Sequence, residues 1–177
     1  MEKDHPEGAY YAEVKYRQGK YRTPSGKIEL YSETLAENGY DPIPHHIEPS
    51  RSPMSTPELY KKYPLILTTG ARIPEYTHTQ FRQVASMQKT APEPLAEIHP
   101  DTAKKYGISD GDMMTVETVK GKVNLKAKTT EALLPGVVSI PHGWAKANAN
   151  LLTELDHRDP VTGYTEMKAL LCRISKL

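Results

Sequence analysis

Leu134-Pro135-Gly136-Val137-Val138-Ser139-Ile140-Pro141-His142-Gly143-Trp144 opens a stretch that runs on through Asn148, Asn150 and Leu151-Leu152-Thr153 and closes at Asp159-Pro160-Val161-Thr162-Gly163. Val137 to Ile140 is a short apolar run of the kind that forms a buried strand. It breaks at a Pro-His-Gly-Trp corner, and a long polar stretch follows that ends in an Asp-Pro-x-Thr-Gly turn. Long loops hung from a rigid strand are uncommon in compact domains and are mostly functional. This one is rich in amides, hydroxyls and backbone bared at glycine. Such groups hydrogen-bond a flat, heteroatom-rich ligand; they do not break bonds.

A second segment has the same character. Tyr63 to Thr68 is an apolar run that stops at Thr69-Gly70-Ala71-Arg72, with His78-Thr79-Gln80 soon after. Gly70 lets the backbone turn or approach a ligand closely, and Arg72 carries a fork of donors suited to phosphate or carbonyl oxygens. Between the two segments the chain reads as short strands with one clear helix. Leu95 to His99 is a strand. Pro100 to Tyr106 is a helix with proline in its first turn, Asp101 near its positive end and Gly107 as its stop. Ser109-Asp110-Gly111-Asp112 is a tight turn. Met113 to Val119 and Lys122 to Lys128 form a hairpin across Lys120-Gly121, with Val123, Leu125 and Ala127 inward and Asn124 and Lys126 outward. Glu166 to Ile174 is the last strand. Short strands, one helix and crossing loops predict a mainly β, closed barrel.

Residues 1–62 read differently. Lys27 to Ser32 alternates as a short strand, Ser32 to Asn38 suits a short helix stopped by Gly39, and Asp41 to Pro57 holds five prolines and the pair His45-His46, as an extended linker would. This predicts an extended N-terminal segment wrapping a domain of residues 63–177.

Composition removes several classes of function. The 177 residues carry 23 Lys and Arg against 22 Asp and Glu, a net charge of +1, which gives no electrostatic case for nucleic acid. No apolar run approaches the ~20 residues that span a bilayer, and the residues from Met1 to Pro6 lack the apolar core of a secretion signal. One cysteine allows neither an intrachain disulfide nor a Cys-x-x-Cys site. There is no phosphate-binding P-loop or Gly-x-Gly-x-x-Gly turn.

The motifs together resemble a known family. They are Thr23-Pro24-Ser25-Gly26-Lys27-Ile28-Glu29-Leu30, Tyr63-Pro64-Leu65-Ile66-Leu67 with Thr69-Gly70-Ala71-Arg72, His78-Thr79, and Glu97-Ile98-His99-Pro100. Asp110-Gly111-Asp112, Pro135-Gly136-Val137-Val138, Pro141-His142-Gly143-Trp144, Asn150-Leu151-Leu152-Thr153 and Asp159-Pro160 with Gly163 follow in the same order. The chain looks like the C-terminal, dinucleotide-binding domain of the molybdopterin oxidoreductases, the dimethyl-sulfoxide-reductase superfamily. These enzymes use molybdopterin guanine dinucleotide carrying molybdenum or tungsten. The first motif and the Pro-His-Gly-Trp corner point to the polysulfide, thiosulfate and acetylene-hydratase-like branch.

The resemblance implies a six-stranded double-psi β-barrel that holds the cofactor and supplies no catalytic residue or metal ligand of its own. It implies that Thr69, Gly70 and Arg72 lie against pterin and diphosphate, and that His78 and Thr79 donate to their oxygens. His142 and Gly143 approach the cofactor with their backbone, and Asn150 offers donor and acceptor to a pterin or guanine edge. Trp144 suits either a packed corner or a cofactor contact, Thr153 either the cofactor or a helical cap, and Lys168, after Gly163, either the pterin or solvent. Cys172, in an apolar strand, reads as a small buried hydrophobe. The partners implied are the remaining domains of a larger oxidoreductase; alone, the domain is expected to be a monomer that purifies without cofactor. Barrels of this type also serve as protein-interaction modules, but such a module has no need of the ligand loops at 69–79 and 141–153.

Overall fold

Alternation of apolar and polar residues organises the barrel. In this computed structural model residue 19, residues 21–71 and residues 73–177 are described, so Arg72 and most of the first twenty residues lie outside the described residues. Two compact units are present, residues 1–47 and residues 48–177. The first contains α1 (Glu33–Glu37), capped by the Ser32 hydroxyl, which accepts from the Leu35 N–H. The strand expected over Lys27 to Ser32 does not form. Other bonds take the backbone at its two ends: the Thr23 hydroxyl donates to Lys27 O, Lys27 N–H donates to the Ser25 hydroxyl, and Ser32 N–H donates to Pro42 O.

The second unit contains α2 (Pro57–Lys62) and six strands: β1 (Leu65–Ala71), β2 (Leu95–Ile98), β3 (Met113–Glu117), β4 (Lys122–Thr129), β5 (Val137–Pro141) and β6 (Leu170–Lys176). They close in the order β1-β5-β2-β4-β3-β6, a mixed, mainly β barrel. β1 with β5 and β2 with β4 are parallel; the other four contacts are antiparallel. Closure leaves no strand edge unpaired. The inward residues are Leu65 and Leu67, Ala96 and Ile98, Met114 and Val116, Val123, Leu125 and Ala127, Val138 and Ile140, and Leu170, Cys172 and Ile174. Each fully buried large aliphatic side chain among them contributes roughly 1.5–3 kcal/mol.

α4 (Pro100–Lys105) follows β2, with Pro100 in its first turn and His99 Nδ1 accepting from the Asp101 N–H. It buries Thr102 and Ala103, and the Thr102 hydroxyl accepts from Gly136 N–H at 2.9 Å, tying the helix to the start of β5. α3 (Ala85–Thr90) is a short helix that the sequence pattern did not announce. The last strand starts later than expected, at Leu170 rather than Glu166, because Glu166 and Met167 are engaged elsewhere, as described next.

Candidate functional site

Register decides where the loops meet. Parallel pairing of Leu67 with Val138 and Thr68 with Ser139 brings the C-terminal ends of β1 and β5 side by side. The pairing slips beyond Thr68 and resumes at Ala71 with Pro141. β6 runs antiparallel to β1, with Leu67 opposite Leu170, so the residues before Leu170 reach the same rim. The β3–β4 turn joins them there, since Glu117 pairs with both Lys122 and Arg173. The segments after Thr69, after Pro141 and before Leu170 therefore converge at one end of the barrel. α4 and the Asp110-Gly111 turn occupy the other end.

Thr69 is buried, and its N–H and hydroxyl both donate to Met167 O, at 3.2 and 2.8 Å. The Lys168 side chain lies over Gly70, where a Cβ would come within 2.7 Å of its Cε. Residues 48–56 are pinned to the same rim. Ser50 N–H donates to Glu166 Oε1 at 2.9 Å, and Arg51 pairs with Glu154, a buried carboxylate also held by Lys120 at 2.9 Å.

Two histidines form the centre. His142 Nδ1 lies 3.2 Å from Thr69 O, and its Nε2 lies 2.6 Å from His78 Nδ1. A carbonyl only accepts, so the His142 Nδ1 carries a proton and donates it to Thr69 O. Gly143 closes the corner at φ 81°, with its α-carbon so near the His78 backbone that a Cβ would sit 3.0 Å from His78 C and O. His78 and Phe81 themselves hold φ values of 56° and 66°, unusual for side-chain-bearing residues.

Arg82 lies behind this pair. Its Nη2 donates to His78 O at 3.0 Å, and its guanidinium stacks 3.5 Å from the Trp144 ring centroid and 4.6 Å from that of Tyr76. Tyr76 is buried, donates to Ala91 O at 2.8 Å and meets Trp144 edge-on. Burial depresses the Arg82 pKa from its ordinary value, because the charged form loses water. Three buried donors here have no partner among the described residues: Arg82 Nε, Arg82 Nη1 and Trp144 Nε1. A separate cleft of about 390 Å³ is lined by residues that include Ile73, Glu75, Ala91, Glu93 and Pro141, and not by Arg82, Trp144 or the two histidines.

Of the residues singled out from sequence, the structure brings Thr69, His78, His142, Gly143 and Trp144 together, with Lys168 over Gly70. Thr79 lies in the exposed turn after His78. Asn150 and Thr153 lie on the short 3-10 turn Ala149–Leu151 and its exit, where Asn148 Oδ1 accepts from Asn150 N–H and the Thr153 hydroxyl donates to Asn150 O. That turn packs on the β3–β4 turn through the Thr118 hydroxyl, which donates to Leu152 O. Gly163 ends an exposed turn organised by Asp159, whose carboxylate is held below its usual pKa by hydrogen bonds from the backbone and side chain of Thr162. Tyr76 and Arg82 were not recognised in the sequence; their only signal is their position either side of His78-Thr79. Cys172 is fully buried in the barrel interior, away from this rim.

The arrangement fits a polyanionic, heteroaromatic ligand. The unpartnered donors offer hydrogen bonds to acceptors on a ligand.

Comparison with known proteins points the same way. The family described as "Molydopterin dinucleotide binding domain" matches residues 65–171. Acetylene hydratase of Syntrophotalea acetylenica is 41% identical over 121 residues, which is 68% of this chain and 17% of that protein. Dopamine dehydroxylase of Eggerthella lenta is 31% identical over 170 residues, 87% of this chain and 17% of that protein. Dimethyl sulfoxide reductase DmsA of Escherichia coli (strain K12) is 33% identical over 157 residues, 81% of this chain and 19% of that protein. The solved structure of acetylene hydratase from Pelobacter acetylenicus superposes with a TM-score of 0.78 at 32% identity, covering 90% of this chain and 24% of that one. The chain thus spans under one fifth of the length of these curated relatives.

Proposed function

This chain belongs to the molydopterin dinucleotide binding domain family, and on that premise we propose that the rim formed by the ends of β1 and β5 is its cofactor clamp. The cofactor is molybdopterin guanine dinucleotide. Thr69, Gly70, Arg72, His78 and Thr79 would line it from the β1 side. His142, Gly143, Trp144, Asn150 and Thr153 would line it from the β5 side, and Gly163 and Lys168 from the segment entering β6.

The observation that carries this reading is the convergence of the three loops at one rim, with buried N–H donors lacking acceptors in their midst. The chain's own residues bind, orient and exclude water. The cofactor, when bound, supplies the redox or hydration chemistry at its metal. The reading extends to the whole protein as follows. This barrel is one domain of a larger molybdenum or tungsten enzyme, whose other domains complete the cofactor site and contribute any metal ligand. Among the described residues no helix is long and apolar enough to cross a membrane.

A pair of variants in the enzyme that carries this chain tests the assignment. Asn150→Leu keeps a similar volume and removes a donor and an acceptor from an exposed position on the rim, so a cofactor edge meeting it is left unpaired, at a cost on the order of 1–3 kcal/mol. Cys172→Ser lies in the barrel interior and acts on stability alone. Metal and guanine content of the folded, purified proteins is the readout. Full occupancy of Asn150→Leu together with metal loss from folded Cys172→Ser overturns the assignment.

A further inference from the structure

Asn150 stands on a turn whose neighbours fix its place. Ala147, Ala149 and Leu152 are buried, while Asn148 and Asn150 are exposed. Asn148 O accepts from Leu151 N–H, Ala149 O from Leu152 N–H, and Asn150 O from the Thr153 hydroxyl. The Asn150 side-chain amide makes no hydrogen bond among the described residues; only its backbone is engaged. An unspent donor and acceptor thus project from a backbone that is held on both sides. Three further contacts come from the β3–β4 turn. The buried Thr118 hydroxyl donates to Leu152 O at 2.9 Å and accepts from Lys120 N–H at 3.2 Å. Lys120 Nζ bridges Glu154 and Asp156, at 2.9 and 2.8 Å. Gly121 abuts the backbone itself: a Cβ there would lie 2.6 Å from Leu151 O. We propose that Thr118 and Gly121 are positioning residues for cofactor binding. They set the height and orientation of the turn at 148–153, so that the Asn150 amide meets the cofactor edge. This rests on the cofactor-clamp reading above.

Distance sets the size of the effect. Gly121 does not hold left-handed backbone, so the absence of a side chain there answers to the close approach of Leu151 and not to turn conformation. In Gly121→Ala, Leu151 O must retreat from 2.6 Å by roughly 0.7 Å to reach an ordinary C···O separation. Leu151 is exposed, so the surface turn yields and not the barrel strand. Asn150 precedes Leu151 and moves with it. Binding groups work when held within about 0.5 Å of their productive geometry, so a shift of this size is felt at the ligand. Thr118→Val keeps the shape of the side chain and leaves Leu152 O without its donor, whereas Thr118→Ser keeps the donor.

Two measurements test the role. In the 177-residue chain, free of cofactor, backbone amide NMR signals report the turn. Gly121→Ala should move those of residues 149–153 and leave those of α4 in place; unmoved signals at 149–153 overturn the positioning role. In the enzyme that carries this chain, loss of metal and guanine is timed during dialysis below the unfolding temperature. Loss should be about tenfold faster or more in Gly121→Ala and in Thr118→Val, and as slow as in the parent in Thr118→Ser. Gly107→Ala strains the stop of α4 at the other end of the barrel, so it lowers stability and should release cofactor no faster. Equally fast loss from Thr118→Ser and Thr118→Val, or from Gly107→Ala and Gly121→Ala, overturns the positioning role in favour of stability alone. Fast loss from Asn150→Leu while either Gly121→Ala or Thr118→Val holds its cofactor overturns it too, and leaves the clamp reading standing. Retention by Asn150→Leu equal to the parent overturns the clamp reading at this loop and the inference with it. Where Gly121→Ala fails to fold, Thr118→Val against Thr118→Ser decides.

Discussion

Replacing three glycines by alanine, one at a time, separates backbone strain from close approach at the site. Gly107 stops α4 at φ 63°, and a Cβ there meets nothing within 4 Å. Gly107→Ala therefore costs only the left-handed penalty, roughly 1–2 kcal/mol. Gly143 carries the same penalty at φ 81°, and its Cβ would also press on the His78 backbone, 3.0 Å from C and O and 3.3 Å from Cα. Backbone gives way less readily than a side chain, so overpacking adds about 1–3 kcal/mol and the sum reaches roughly 2–5 kcal/mol. Gly70 has an ordinary φ, and its Cβ would meet the far end of Lys168. That side chain is exposed and swings aside, so Gly70→Ala stays within about 0.5 kcal/mol. Urea unfolding followed by circular dichroism gives the ranking through the midpoint, provided the slope is unchanged. The expected order of damage is Gly143, then Gly107, then Gly70. A Gly143→Ala midpoint equal to that of Gly107→Ala would refute the close packing of the 143 corner on His78.

Further expectations concern the barrel and its straps. Burial pushes the Cys172 thiol well above its usual pKa, so iodoacetamide should leave the folded chain unmodified and alkylate it only in denaturant; modification under native conditions would contradict the barrel interior. Asp112 is held below its usual pKa by hydrogen bonds from Lys176 and from the Ser109 N–H. A depressed carboxylate stabilises the fold above its unfolded value, about 3.9, and that contribution is lost as pH falls through the folded value. Acid unfolding should accordingly begin below about pH 4 and be flatter in Asp112→Asn; an identical acid profile would remove Asp112 from the cause. Arg51→Ala leaves Glu154 with Lys120 alone, which should cost about 1–3 kcal/mol and speed hydrogen exchange across residues 154–166, whereas unchanged exchange there would show that residues 48–56 do not hold that loop.

The barrel was legible because its strands are short, apolar on one face and separated by turns with recognisable chemistry. Val123, Leu125 and Ala127 alternate with Asn124 and Lys126 in the sequence, and they alternate in burial. Pro100 and Gly107 marked α4. The start of β6 was misplaced because sequence does not show that Glu166 is taken by Ser50 or that Met167 O is taken by Thr69; pairing with β1 begins only at Leu170. α3 carries no side-chain cap and spans six residues, too few for periodicity to show. Lys27 to Ser32 alternates like a strand yet has no partner strand among the described residues, and alternation without a partner makes no ladder. At the site, the glycine and histidine motifs were readable in sequence. Arg82 was not, because nothing local distinguishes an arginine that will stack on a tryptophan 62 positions later. The parallel register of β1 and β5 brings the loops that carry them to one rim.

Hydrogen exchange with and without the dinucleotide tests most directly which end of the barrel holds the cofactor. The probe is molybdopterin guanine dinucleotide released from an enzyme of this family, added to the 177-residue chain, with peptides resolved along the sequence. Protection should appear at residues 69–82, 141–153 and 159–168, while α4 and the Asp110-Gly111 turn at the other end remain unchanged. Protection confined to α4 and that turn, or a uniform change through the barrel strands with none at the three loops, would contradict the placement of the cofactor at the rim of β1 and β5.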